Sequence, residues 1–258
     1  MSRLVFITGA SSGIGQALAA GYAAAGWRLA LVARREAQLA AWAEAQGWSP
    51  GSWRVWGADV GAVEQIVSAG HACIGELGVP DVVIANAGIS IGMDSTCRDD
   101  LDVMARTLAV NNVGMAATFH PFIEPMRRHG TGTLVGVASV AAVRGLPGHA
   151  AYCASKAGVV NYCESLRGEL RGSGVRVITL LPGYVDTPLT RGNRYAMPFL
   201  MPADAFARRA ISVIESGATY RVIPWQMGVV AKLLRVLPNA WFDRLLAGRP
   251  RKARESGR

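Results

Sequence analysis

Long apolar runs, metal-ligand patterns and low-complexity tracts are all scarce in this sequence, and each shortage removes a class of protein. No stretch reaches the ~18 uncharged apolar residues a membrane span needs, so nothing here is expected to cross a bilayer. Cys73, Cys97, Cys153 and Cys163 have no paired metal spacing, and the histidines form no metal pattern either. Met1 is followed by Leu4-Val5-Phe6-Ile7, too short a run for a secretory leader and better read as a strand. Reduced thiols in a cytoplasmic protein are therefore the expected state. No internal repeat, linker or low-complexity segment precedes residue 249. Charge is thin at 17% and unevenly placed. From Arg221 onward nine Lys and Arg face two carboxylates, Asp243 and Glu255, leaving +7 of the total +9 there and +2 in residues 1–220. The basic character belongs to the tail and says little about the body. That tail has no recognised nucleic-acid motif, so no nucleic-acid partner is expected.

What remains is a chain of 258 residues, 51% apolar, with 30 glycines, which fits Ala/Gly-rich helices packed on a sheet. Apolar runs at 3–8, 28–33, 53–56, 81–85, 133–138, 175–181 and 220–223 read as strands. Helical patterns lie between them, at 16–25, 37–46, the sixties to early seventies, 98–128, from Tyr152 to about Arg171, and 203–216. Gly114, Pro121 and Pro125 are expected to interrupt or kink the long 98–128 segment. The alternation predicts an α/β fold, a doubly wound parallel sheet of about seven strands. Ligands bind such sheets beyond the carboxyl ends of the strands. Almost every unusual residue falls at one of those ends.

Tyr152 and Lys156 are four residues apart, on one face of a helix, and Ser139 precedes them across a Gly/Pro-containing loop. An ammonium about 4 Å from a phenol, at an effective dielectric near 20, favours the phenolate by roughly 4 kcal/mol. That would lower the phenol pKa by about 3 and bring it within range of general acid/base work. After the first strand, Gly9-Ala10-Ser11-Ser12-Gly13-Ile14-Gly15 lets backbone approach a pyrophosphate, with a helix N-terminus behind it. After the second strand, Ala33 stands where a carboxylate would meet a free ribose 2′-hydroxyl. Arg34 and Arg35 follow it, and a guanidinium suits a 2′-phosphate, hence NADP(H) over NAD(H). Glu36 should point along its helix.

Taken together, TGASSGIG (Thr8–Gly15), Asp59-Val60, NAG (Asn86–Gly88), VNNVG (Val110–Gly114), Ser139, YCASK (Tyr152–Lys156) and PGYVDT (Pro182–Thr187) resemble the short-chain dehydrogenase/reductase family, ordinary single-domain type. The resemblance covers residues 3 to about 224 and implies a Rossmann fold. It also implies that Asp59 meets the adenine, that Asn86, Ala87 and Gly88 back the cofactor, and that Val185 and Thr187, beyond Pro182 and Gly183, hold the nicotinamide carboxamide. It implies a tetrad of Asn111, Ser139, Tyr152 and Lys156, with Asn112 as a neighbour that could be mistaken for Asn111. Ser139 would hold a carbonyl oxygen, Tyr152 would donate the proton, Lys156 would bind ribose hydroxyls and Asn111 would position a water. Ala85 and Ala138 depart from common family residues without removing a tetrad member. A non-catalytic dinucleotide sensor on the same fold is the alternative, and its mark would be a broken tetrad.

The loop at 186–204 is too long for a plain connection, and the resemblance makes it a substrate lid. His149, Tyr195, Met197 and Phe199 are the candidate substrate contacts and suggest a hydrophobic ketone or alcohol. Residues 225–248 read as a separate extension of two amphipathic helices, 226–237 and 240–247, with Asn239 as N-cap and Gly248 as stop. Lys232 and Arg235 share a face opposite Met227, Val230 and Leu234. The extension either packs on a partner subunit of a homodimer or homotetramer and closes the site, or rests on an anionic bilayer as a peripheral attachment. Residues 249–258 are expected to be disordered.

Overall fold

All five residues of β1 (Leu4–Thr8) are buried, as a strand covered on both faces requires. Leu4 and Phe6 face one core with Phe119, Phe122 and Leu166. Val5 and Ile7 face the other, with Leu18, Tyr22 and Phe206. The computed structural model describes residues 2–193, 195–248 and 250–255. Around β1 lie β2 (Arg28–Ala33), β3 (Trp53–Gly57), β4 (Val82–Ala85), β5 (Gly132–Val137) and β6 (Val175–Pro182). With β9 (Tyr220–Ile223) they make one seven-stranded sheet in the order β3-β2-β1-β4-β5-β6-β9, parallel throughout. The short strands β7 (Val185–Asp186) and β8 (Met201–Pro202) pair separately. The winding reverses between β1 and β4, which opens a crevice at their carboxyl ends.

Residues of α1 (Gly13–Ala24), α2 (Glu36–Glu44) and α8 (Ala203–Ser216) enter one core, and those of α3 (Val63–Leu77), α5 (Gly114–His129) and α6 (Ala150–Glu169) the other. The long helical region is interrupted next to Gly114, as expected, but not at either proline. It is α4 (Asp100–Leu108) and α5, joined by a widened turn at Ala109–Val113, while Pro121 and Pro125 both lie inside α5 without ending it. Pro121 is accommodated because Gly70 of α3 leaves it room: a Cβ there would stand 2.7 Å from Pro121 Cγ.

Beyond α7 (Pro188–Arg191), the extension forms α9 (Trp225–Val236) and α10 (Asn239–Leu246). Pro238, not Asn239, holds the N-cap position of α10, because the Asn239 amide oxygen accepts from Arg144 Nη2 at 2.8 Å. The expected disorder of 249–258 is corrected for residues 250–255; residues 249 and 256–258 lie outside the described residues. Arg254 makes two hydrogen bonds to buried Asp100, at 2.7 and 3.1 Å. Gly92 N donates to the Ala253 carbonyl at 3.0 Å, and Arg106 pairs with Glu255. A buried carboxylate needs a partner, and the basic tail supplies it.

Candidate active site

The turn after β1 is shaped by close approach. Gly9 and Gly13 have φ of 67° and 54°, and a Cβ on Gly15 would collide with the Gly9 carbonyl and lie 2.6 Å from Asn86 Nδ2. Asn86 locks this turn to the end of β4: Nδ2 donates to the Thr8 carbonyl at 3.0 Å, while Thr8 Oγ1 accepts from the Asn86 and Ala87 N–H groups. The Ser12 side chain makes no capping bond, and α1 has no acidic residue in its first turn. Its N-terminal N–H groups and their positive end are thus set for an anion.

A cleft of about 460 Å³ runs along the strand ends. Arg34, Arg35, Asp59 and Val60 line one end, Gly9, Ser11, Ser12, Gly13 and Ile14 its floor, and Asn86, Ala87 and Gly88 its back. Pro182, Gly183, Val185 and Thr187 face Ser139, Tyr152 and Lys156 at the other end. Among the expected cofactor contacts Gly15 alone does not line it; its role is the tight packing under Gly9. Glu36 leans over Gly57, where a Cβ would stand 2.5 Å from its Oε2, and does not line the cleft. The cradle and its open helix end fit a dinucleotide.

Ser139 lies two residues beyond β5 and caps the turn at Val140–Ala142, its Oγ accepting from Ala141 N at 3.2 Å. Lys156 is buried, its Nζ 5.8 Å from the centre of the Tyr152 ring. Burial lowers its pKa to about 8, against a smaller upward pull from Cys163. Tyr152 differs from expectation. Burial pushes its phenol up, and the opposing influence is a hydrogen bond from Ser139, not the lysine. The reason is geometric: the ammonium turns to the Val137 carbonyl at 2.8 Å.

Asn111 sits buried in the widened turn between α4 and α5. Its Oδ1 accepts from Ile89 N at 2.8 Å, and its Nδ2 donates to the Ile89 carbonyl and Ser155 Oγ at 3.0 and 2.9 Å. Asn111 and Lys156 flank Gly88, whose added Cβ would stand 3.1 Å and 3.4 Å from Oδ1 and Nζ. Asn112 bonds the Ser155 carbonyl, and neither asparagine lines the cleft.

A second cavity of about 240 Å³, more apolar, opens on the far side of Ser139 and Tyr152. His149 and Tyr195 line it, joined Nε2 to OH at 3.2 Å. Met197 and Phe199, expected as substrate contacts, do not line it. The loop turns at Phe199, with φ of 56°, and leads into β8, leaving that ring half in solvent. Met197 accepts a bond from Asn193 instead. The inner face of the extension forms the opposite wall through Met227, Val230, Ala231, Leu234, Leu245 and Leu246. The amphipathic pattern was legible, but its cover over this chain's own cavity was not. Arg144 fixes the corner between α9 and α10: Nη1 donates to the Leu234 and Leu237 carbonyls, and the guanidinium lies 3.8 Å over Phe242. No local pattern marks a loop arginine for that task. Among the described residues no His/Cys/Asp/Glu group could hold a metal, and no helix is long and apolar enough to cross a membrane.

The family described as short chain dehydrogenase matches residues 3–197. An uncharacterized oxidoreductase of Myxococcus xanthus is 38% identical over 245 residues, 93% of this chain and 95% of that protein. A D-threitol dehydrogenase of Mycolicibacterium smegmatis is 35% identical over 80% of each chain. Among solved structures, a short chain dehydrogenase from Burkholderia cenocepacia in complex with NADP aligns with a TM-score of 0.81 at 24% identity, covering 95% of this chain and 98% of that one.

Proposed function

Because the chain belongs to the short-chain dehydrogenase/reductase family, we propose that it transfers a hydride between NADP(H) and a hydrophobic ketone or secondary alcohol. The observation that carries this reading is that Ser139 and Tyr152 line both cavities at once. Their hydroxyls stand at the junction of a dinucleotide-shaped cleft and an apolar chamber, where a carbonyl oxygen from the chamber would meet both. The bound dinucleotide supplies the hydride. Ser139 Oγ holds the carbonyl oxygen; Tyr152 gives it a proton in reduction and removes one in oxidation. Lys156, its Nζ held by the Val137 carbonyl, offers its remaining N–H donors to the ribose hydroxyls. Asn111 is a positioning residue that holds the α4–α5 turn against α6 through Ser155.

NADP(H) over NAD(H) rests on Arg34 beside Ala33 in the cleft lining, which includes Arg34 and Arg35 but not Glu36. For the outer face of the extension, a second copy of this chain is the occupant favoured, in a cytoplasmic homodimer or homotetramer. An anionic bilayer competes because Lys232 and Arg235 are exposed there. The testing experiment is a panel of apolar ketones and alcohols with each cofactor, followed at the reduced-nicotinamide absorbance. NADPH-dependent reduction of apolar ketones is expected. Tight NADPH binding with no turnover on any member would favour a dinucleotide sensor instead.

A further inference from the structure

The chamber beyond Ser139 and Tyr152 is crossed by the returning tail, held by the Gly92–Ala253 hydrogen bond and the Arg254–Asp100 pair. That path brings Lys252 into the chamber wall. Its Nζ donates to the Leu189 carbonyl at 2.9 Å and to Asn193 Oδ1 at 2.8 Å. Both acceptors are neutral, and an ammonium has three N–H donors. Apart from His149, the ionisable lining with a basic side chain is Arg144 and Lys252, and no Asp or Glu lines the chamber among the described residues. Arg144 is engaged by three oxygens and a ring. Lys252 has no carboxylate partner among the described residues, and partial burial pulls its ammonium below its usual range. The same cation adds to the downward pull on His149, whose largest cause is burial. A cation held partly out of water without a counter-charge is unfavourable, and an incoming anion would relieve it.

We propose that the substrate is an apolar carbonyl compound, or the matching alcohol, with a carboxylate at the end away from the reacting carbon, and that Lys252 binds that carboxylate. The proposal rests on the oxidoreductase reading for the reacting end only. The chamber's aliphatic wall, Met227, Val230, Leu234 and Leu246, takes the body. Lys252 is then a specificity-determining residue supplied by a tail that the fold lays across the site.

The test uses the full chain with NADPH and straight-chain methyl ketones ending in a carboxylate, in several lengths, each beside its methyl ester. At least one acid is expected to exceed its ester by roughly ten- to a hundred-fold in kcat/KM, mainly through KM. Lys252→Met should remove that preference while the ester loses far less, and Lys252→Arg should retain it. Equal use of acid and ester, or a preference that survives Lys252→Met, overturns the proposal. Equal loss on acid and ester in Lys252→Met would make the lysine a clasp on the lid only, and also overturns it. If no ketone is reduced, the thermal midpoint of the NADP-loaded protein decides. A rise given by an acid, absent with its ester and lost in Lys252→Met, keeps the carboxylate site and sinks the reductase reading; no such rise sinks the site.

Discussion

Lys156 Nζ donates to the Val137 carbonyl at 2.8 Å, tying α6 to the end of β5. The tie holds a largely buried cation, and its pKa falls from 10.5 to about 8. In the unfolded chain the ordinary value returns, so between those two values the unfolded state binds more protons than the folded one. Stability contributed through this group therefore rises with pH across that window, and the penalty for burying the charge is complete below about 8.

Lys156→Met is accordingly expected to stabilise the fold at neutral pH by on the order of 3 kcal/mol, less about 1 kcal/mol for the lost hydrogen bond. The gain should shrink as pH climbs toward 10.5. Urea midpoints of both proteins at neutral and alkaline pH measure it. A gain that grew with pH would mean that Lys156 is not the buried cation described.

Tyr152→Phe keeps the ring in its packing and removes the hydroxyl at the junction of the two cavities. Turnover should fall by roughly 10²- to 10⁴-fold, the usual contribution of a positioned acid or base. NADPH affinity, read by fluorescence titration, should stay nearly intact, because the phosphate cradle lies at the other end of the cleft. A mutant that turns over normally would transfer the proton-handling role to another group.

The parts legible in the sequence are those where backbone chemistry is local. The Gly9 and Gly13 turn, the Asn86–Gly88 corner and the Tyr152/Lys156 spacing all announce their geometry within a few residues. Gly114 marked the break between α4 and α5, but what pins that turn was not legible. Prolines look like breakers, yet the turn is pinned by Asn111 bonding to Ile89 and Ser155, 22 and 44 positions away. Phe199 and Met197 failed for another reason: apolar character in a loop says nothing about which way the loop turns. The order of the tail depends on Asp100, 154 positions from Arg254. A basic terminus gives no hint of such a partner.

Arg34→Ala removes a guanidinium at the adenosine end of the cleft and touches nothing near Ser139. Loss of a charge-assisted pair to a 2′-phosphate should weaken NADPH by about ten- to a hundred-fold and NADH by far less. Dissociation constants for both cofactors on both proteins give the ratio directly. Equal losses would show that the arginine serves the pyrophosphate or the fold.

The extension separates two surfaces on one pair of helices. Met227, Ala231 and Phe242 are buried, whereas Trp225, Val229, Leu233 and Val236 recur at helical spacing on the outer face of α9, the first 69% exposed. Trp241 of α10 is exposed as well. Scattered apolar residues are ordinary on a surface, but a stripe of this kind is what an association surface presents, and it is the face proposed above for a second copy. If a second copy covers it, the wild-type protein should sediment as a dimer or tetramer, and Leu233→Glu with Val236→Glu should reduce the mass. The cavity wall, built from the opposite face, should keep its ligands. If a bilayer covers it, the protein should instead float with anionic vesicles and be released by high salt, since the attraction of Lys232 and Arg235 to lipid is screened beyond a Debye length of about 10 Å at 0.1 M salt. The mass measured in the absence of lipid tells the two apart: a monomer that floats contradicts the subunit interface, and an oligomer that ignores vesicles contradicts the membrane.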